Sequence, residues 1–225
     1  MKYTAKYTAR EIIFGICHPW VLLSREPDIS KLAPDPVKQF ESWYALMRRC
    51  FWIQFPNAMC LSTLDPNSFP NGRMVLLKNT DARGFVFYTN YDSVKGQSLT
   101  AAPKAALTFY WETIQRQVRV QGTVERTSEE ESDAYFATRP RESQLSAWAS
   151  LQSEELPSRK ALTERMREFR ETFLGRQVPR PPHWGGFRVV PERVEFMLLR
   201  AGRLHERVVY KKDADARWTI SRLYP

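Results

Sequence analysis

The chain reads as an α+β domain built on an antiparallel barrel, with helices packed outside. Three observations lead there. Five short apolar or alternating runs follow one another between residues 58 and 125, each set off by turn residues. Segments with helical apolar spacing precede and follow them. Three more strand-like runs, and a fourth at the end, close the sequence. Strands of this number and spacing imply a barrel or sandwich, and helices segregated from them imply the α+β class.

The elements follow in order. Residues 1–34 stand apart as an N-terminal extension of unknown role, and 35–225 form the domain. Asp35–Arg49 spaces Val37, Phe40, Trp43 and Met47 as one helical stripe, with Pro36 suited to the first turn. Strands are expected at Ala58–Leu64, Arg73–Lys78, Gly84–Thr89, Ala105–Trp111 and Arg116–Glu125. Turns are expected at Asp65-Pro66-Asn67, Pro70-Asn71-Gly72 and Asp81-Ala82-Arg83-Gly84. In the fifth run Val118, Val120 and Val124 alternate with Gln117, Arg119, Gln121 and Thr123, so one face is core and the other polar. Ser128 and Glu131 form a capping box for a helix that runs to about Thr138, before Pro140. A charged helix spans about Ser158 to Leu174 and stops at Gly175. Pro179, Pro181 and Pro182 stiffen the next connection. Strands are then expected at Gly186–Val190, Arg193–Leu199, Arg207–Lys211 and Trp218–Arg222, and no composition shift marks an internal linker.

Bulk composition narrows the function. No apolar window reaches 18 residues, and residues 1–10 hold no apolar stretch of signal-peptide length, so a cytoplasmic chain with no membrane partner is expected. Cys17, Cys50 and Cys60 show no CxxC spacing, and there are only three His, so neither a disulfide framework nor a metal site is expected. Net charge is +9, which raises nucleic acid as a partner class. The basic residues are dispersed, however, often singly beside Gly, Ser or Gln. That pattern suits several small anionic groups better than a polyphosphate backbone.

Two clusters could carry chemistry. If residues 203–207 are extended, Arg203, His205 and Arg207 share one face. Such crowding of like charge calls for an anion or an electron-rich ring, or else marks a solvated edge strand guarded by charge. Tyr135, Arg139 and Ser143 lie four apart around Pro140 and could turn a phenol, a guanidinium and a hydroxyl toward one phosphate. Spacing alone leaves a helix C-terminus with a stray Arg as the other reading. No GxGxxG, GxxxxGK[ST] or GxSxG motif occurs.

The stretches RMVLLK (73–78), GFVFYTN (84–90), RQVRVQGTVE (116–125), YFATRPRESQLSAW (135–148), HWGGFRV (183–189), RLHER (203–207) and RLYP (222–225) together resemble the pyridoxine/pyridoxamine 5′-phosphate oxidase family. The resemblance runs from about Asp35 to Pro225. It implies an FMN-binding split β-barrel that dimerises with FMN between the two chains. It also implies the reaction: hydride passes from the substrate C4′ carbon to the flavin, O2 becomes hydrogen peroxide, and pyridoxal 5′-phosphate is formed. By motif, Arg73, Met74, Val75, Leu76, Leu77 and Lys78 would line FMN, with Arg73 and Lys95 near its phosphate. Tyr88, Thr89, Gln117, Gln152, Ser153, Met197 and Arg207 would also contact FMN. Lys78, Tyr135, Arg139 and Ser143 would grip the substrate phosphate. Arg203 and His205 would flank the pyridine ring as the catalytic pair, with Leu204 between them. Two other readings stay open: an oxidase of a phenazine-type precursor, and a non-catalytic flavin- or pyridoxal-phosphate-binding protein.

The chain departs from the family pattern at Met197, where a Trp is expected, and at Val94, where an Arg often precedes the Lys. Met is apolar and adaptable but lacks the indole donor and the large ring face. Met197→Trp is therefore expected to tighten FMN binding; a dissociation constant that hardly moves would count against this reading.

Overall fold

The computed structural model describes residues 31–49 and 53–225. Most of the 1–34 extension, with Cys17, His18 and Cys50, lies outside the described residues. Nine strands form one antiparallel sheet: β1 (Ala58–Leu64), β2 (Pro70–Leu76), β3 (Asn79–Asp81), β4 (Gly84–Asn90), β5 (Lys104–Trp111), β6 (Arg116–Arg126), β7 (Trp184–Leu198), β8 (Glu206–Lys212) and β9 (Trp218–Leu223). Their order is β2-β1-β5-β6-β7-β4-β3, with β8 pairing β7 and β9 pairing β8. Among the described residues five α-helices accompany the sheet: α1 (Pro36–Arg48), α2 (Val94–Ala101), α3 (Glu129–Ala137), α4 (Arg141–Ala149) and α5 (Arg159–Thr172). None of the described helices is long and apolar enough to cross a membrane.

The chain divides into two compact units interleaved in sequence. One takes the described residues up to Pro56, Thr108–Val120 and Glu192–Pro225; the other takes Asn57–Leu107 and Gln121–Pro191. The boundaries fall inside β5, near the middle of β6 and inside β7, where no linker composition can mark them.

In the first unit α1 starts where Asp35 Oδ1 accepts from the Val37 N–H at 2.7 Å. It buries the expected stripe of Val37, Phe40, Trp43 and Met47. Phe40 lies 4.8 Å from Phe109, and Trp43 meets Phe196 edge-on at 5.1 Å. Phe196 in turn meets Tyr210 at 5.5 Å. Glu195 on β7 is 1% exposed. Burial opposes its ionisation, but hydrogen bonds from Arg193 and Arg207 outweigh that and hold its pKa below the ordinary glutamate value.

In the second unit β1 and β2 form a hairpin around Asp65, whose Oδ1 accepts from the N–H groups of Asn67 and Phe69 at 2.9 and 2.8 Å. Residues 70–72, expected as a turn, are instead the start of β2, with Pro70 facing Leu64 in the register. The Asp65 turn comes earlier in the chain, and Pro is tolerated as the first residue of an edge strand. Ser128 and Glu131 form the expected capping box at the start of α3. Phe136, Leu145, Val178 and Trp184 make a core cluster that α5 covers with Met166 and Phe169.

Other expectations need correction. The two strands expected at 186–190 and 193–199 are one, β7, which pairs with β4 before Pro191 and with β8 after it. Pro191 lacks an N–H and lies where the partner changes. The short β3 and the eight-residue α2 escaped notice. Three residues carry no period, and α2 is a Gly-, Ser- and Thr-containing helix with no apolar stripe. Residues 203–207 are not extended: Gly202 and Arg203 have φ of 67° and 62°, and β8 begins only at Glu206. Strand alternation therefore does not put Arg203, His205 and Arg207 on one face.

Gly122 on β6 passes tight against β7, since a Cβ there would lie 1.9 Å from the Val190 carbonyl oxygen. Gly122→Ala is expected to destabilise the protein by about 2 kcal/mol through forced backbone displacement. Denaturant unfolding with an unshifted midpoint would overturn this.

Candidate functional site

A cavity of about 840 Å³ opens within the second unit. It receives Met74, Val75 and Leu76 from β2, Lys78 just beyond it, and Tyr88 and Thr89 from β4. Lys95 from α2, Tyr135 from α3, Arg139, Ser143 from α4 and Gln152 also line it. Three of the lining residues are cations, Lys78, Lys95 and Arg139, and none is Asp or Glu. The break between α3 and α4 brings Tyr135, Arg139 and Ser143 to the same cavity: Tyr135 ends one helix, Ser143 begins the next, and Arg139 sits in the bend before Pro140.

Each cation is held by neutral groups. Lys95 Nζ donates to Gln152 Oε1 at 2.8 Å and to the Thr89 and Ser93 hydroxyls at 3.2 Å each. Burial, and then the positive charge of Arg73, push its pKa below the ordinary lysine value. Arg73 does not line the cavity; its Nη1 donates to Thr63 Oγ1 at 2.7 Å. Arg139 is half-buried, and its Nη1 is fully buried with no hydrogen-bond partner among the described residues. Burial lowers the Arg139 pKa, partly offset by Tyr135. Lys78 Nζ stands 5.8 Å above the Tyr135 ring. Leu77 is buried away from the cavity, and Ser153 is exposed with φ 78°.

Gathering like charges at one cavity without a carboxylate carries a repulsive cost that a bound anion offsets, most of all for the half-buried Lys95 and Arg139. The donor set suits phosphate groups, because Lys78, Lys95 and Arg139 supply charge while Ser143, Tyr135 and Thr89 supply hydroxyls. The residues present therefore fit a phosphate-bearing cofactor or substrate. Sequence reasoning passed over Ser146, Ala147, Ser150 and Trp184, which also line the cavity. Ser143, Ala147 and Ser150 repeat at helical spacing, a signal that could have shown the cavity-facing side of α4.

The remaining candidates belong to the first unit. Arg203 and Leu204 are exposed. His205 Nδ1 accepts from the Arg200 N–H at 3.0 Å, so a neutral His205 carries its proton on Nε2. Arg207 Nε donates to Glu195 Oε1 at 2.8 Å, and its Nη1 donates to the Tyr224 carbonyl at 3.0 Å. Met197 faces Arg207 across the β7–β8 pair, and Gln117 lies on β6.

If Lys95 binds an anion as a cation, affinity for inorganic phosphate should fall as pH rises through its folded pKa, which lies below 10.5. The protonated form favours the anion, so the loss comes on the alkaline side. Calorimetric titration across pH checks this, and a pH-independent affinity up to 10.5 would rule out the role.

Comparison with known proteins bears on this geometry. The model of the family described as pyridoxamine 5′-phosphate oxidase matches residues 50–173. The model of the pyridoxine 5′-phosphate oxidase C-terminal dimerisation region matches residues 184–225. A pyridoxine/pyridoxamine 5′-phosphate oxidase from Gloeothece citriformis is 52% identical over 192 residues, covering 85% of this chain and 89% of the relative. One from Rubrobacter xylanophilus is 54% identical over 192 residues, covering 85% and 88%. The crystal structure of PhzG from Burkholderia lata, in complex with tetrahydrophenazine-1-carboxylic acid, superposes with a TM-score of 0.83 at 29% identity, covering 88% of this chain and 96% of that one. The two matched segments take in both the cavity and the 203–207 loop, and the chain belongs to the pyridoxamine 5′-phosphate oxidase family of flavin-dependent oxidoreductases.

Proposed function

We propose that the chain oxidises pyridoxine 5′-phosphate and pyridoxamine 5′-phosphate to pyridoxal 5′-phosphate, as a cytoplasmic homodimer with FMN held between its two chains. The observation that carries this is the cavity with Lys78, Lys95 and Arg139 and no lining carboxylate, in a chain 52–54% identical to oxidases named for these substrates. When bound, FMN supplies the hydride acceptor and passes the electrons to O2 as hydrogen peroxide.

The chain's own residues then bind and orient. Arg73 and Lys95 hold the FMN phosphate, and Thr89 and Gln152, already bonded to Lys95, complete that contact. Met74, Val75, Leu76, Tyr88, Gln117, Ser153 and Met197 line the cofactor. Lys78, Tyr135, Arg139 and Ser143 grip the substrate phosphate, which fixes the far end of the ring so that C4′ is presented in one orientation. Arg203 and His205 flank the pyridine ring, with the His205 proton on Nε2 available to a ring oxygen. Arg207, braced by Glu195, keeps its charge toward the flavin. The match of residues 184–225 to a dimerisation region supports the homodimer.

A phenazine-type oxidation is the second reading, favoured by the likeness to the Burkholderia lata structure. That structure's ligand is a carboxylic acid rather than a phosphate ester, and its protein is less similar than the relatives above.

FMN-loaded protein should release hydrogen peroxide with both phosphorylated substrates and far less with unphosphorylated pyridoxine. Yellow protein that makes none with any of them would overturn the proposal. Arg139→Ala should raise KM for the phosphorylated substrates by roughly one to two orders of magnitude, with a smaller effect on kcat, because it removes ground-state binding. An unchanged KM would sink the phosphate role of Arg139.

A further inference from the structure

Arg139 is held differently from the arginines that pair with carboxylates. So is Arg116, whose Nε is buried and unpartnered and whose guanidinium lies 4.5 Å from the Trp43 ring centroid; only Arg139 of these two lines the cavity. Arg188 is paired with Glu125 and Glu131, Arg180 with Glu129 and Asp133, and Arg207 with Glu195. A carboxylate fixes a guanidinium but also neutralises it and occupies its donors. Arg139 has no carboxylate partner among the described residues; its Nη1 is buried and unpartnered, so the donors that a ligand could reach are those of the rest of the guanidinium. Its guanidinium lies instead 4.5 Å from the Trp184 ring centroid and 5.5 Å from that of Phe136. An aromatic face can hold a cation while leaving the N–H donors unused.

Trp184 is equipped to be such a platform. It is 7% exposed and lines the cavity. Its main chain is fixed on both sides: it pairs with Asn90 in the sheet, its N–H donates to the Pro181 carbonyl at 3.0 Å, and its carbonyl accepts from Arg180 Nη1 at 2.6 Å. Its ring is nearly parallel to Tyr135 at 6.2 Å and 7°, and to Tyr88 at 5.5 Å and 10°. Tyr88 and Tyr135 stack on each other at 4.0 Å. One indole thus contacts two of the four groups assigned to the substrate phosphate.

We propose that Trp184 is the positioning residue of the phosphate cup, holding the Arg139 guanidinium and the Tyr135 phenol by their faces so that their donors stay open to the phosphate. This rests on the phosphate role given to Arg139 and Tyr135 above. Trp184 acts through these groups and contributes to phosphate affinity, not to hydride transfer.

The test uses FMN-loaded protein, calorimetric titration with inorganic phosphate, and steady-state oxidation of pyridoxine phosphate and of unphosphorylated pyridoxine. Trp184→Leu should weaken phosphate binding about tenfold and raise KM for the phosphorylated substrate by a similar factor. It should leave kcat, FMN retention and kcat/KM for pyridoxine within about twofold of the parent, and Trp184→Phe should recover most of the loss because a ring face remains. In an Arg139→Ala background, Trp184→Leu should weaken phosphate binding clearly less than it does in the parent, because only the Tyr135 contact is left to lose; if the Leu variant does not fold, Trp184→Met takes its place in the same cycle. Unchanged phosphate affinity in Trp184→Leu would overturn the proposal. So would an equal loss toward both substrates together with lost FMN, which would mark a scaffold role. Parent protein that binds no phosphate, with Arg139→Ala indistinguishable from it, would instead bring down the phosphate cup itself.

Discussion

Uncompensated positive charge at one cavity is the constraint around which the second unit is organised. Lys78, Lys95 and Arg139 reach the cavity without a lining carboxylate, and Arg73 adds its field to Lys95 from β2. The local structure keeps these charges in place by means that do not neutralise them. Hydroxyls and an amide oxygen hold Lys95, aromatic faces hold Arg139, and the break before Pro140 lets Arg139 and Ser143 converge.

Elsewhere several buried charges are neutralised by a partner of opposite sign. Glu195, 1% exposed, takes Arg193 and Arg207 at 2.7 Å each, and Arg188, 3% exposed, takes Glu131 at 2.9 Å. The contrast separates two ways of holding an arginine. Carboxylates hold Arg188, Arg193 and Arg207, whereas aromatic faces hold Arg139 at the cavity and Arg116, which does not line it. Arg207 is braced by the Tyr224 carbonyl as well as by Glu195.

Local pattern carried much of the fold. The stripe Val37, Phe40, Trp43 and Met47, the alternation of Val118, Val120 and Val124, and the Ser128–Glu131 box each reflect interactions within a few residues, and each appears in the structure. The failures share a cause. Residues 70–72 look like a turn because Pro, Asn and Gly are turn formers, yet the hairpin closes at Asp65 and carries them into an edge strand. The shared face of Arg203, His205 and Arg207 depended on extended backbone at 203–207, yet Gly202 and Arg203 adopt left-handed backbone and the Arg200 N–H donates to His205. In both places a tight turn a few residues away, which composition alone does not reveal, overrides the pattern.

By itself the sequence determined the fold class, the strand and helix periods, and the family, because these rest on ordered motifs and short-range spacing. Only the tertiary structure decided which candidates share one cavity, since Lys78, Lys95, Tyr135, Arg139 and Gln152 come from separate elements. It alone brought Trp184 against Arg139, 45 positions away in the chain. A cation over a ring has no sequence period, because the strand that carries the indole and the bend that carries the guanidinium meet only once the core around Phe136, Leu145 and Val178 has closed.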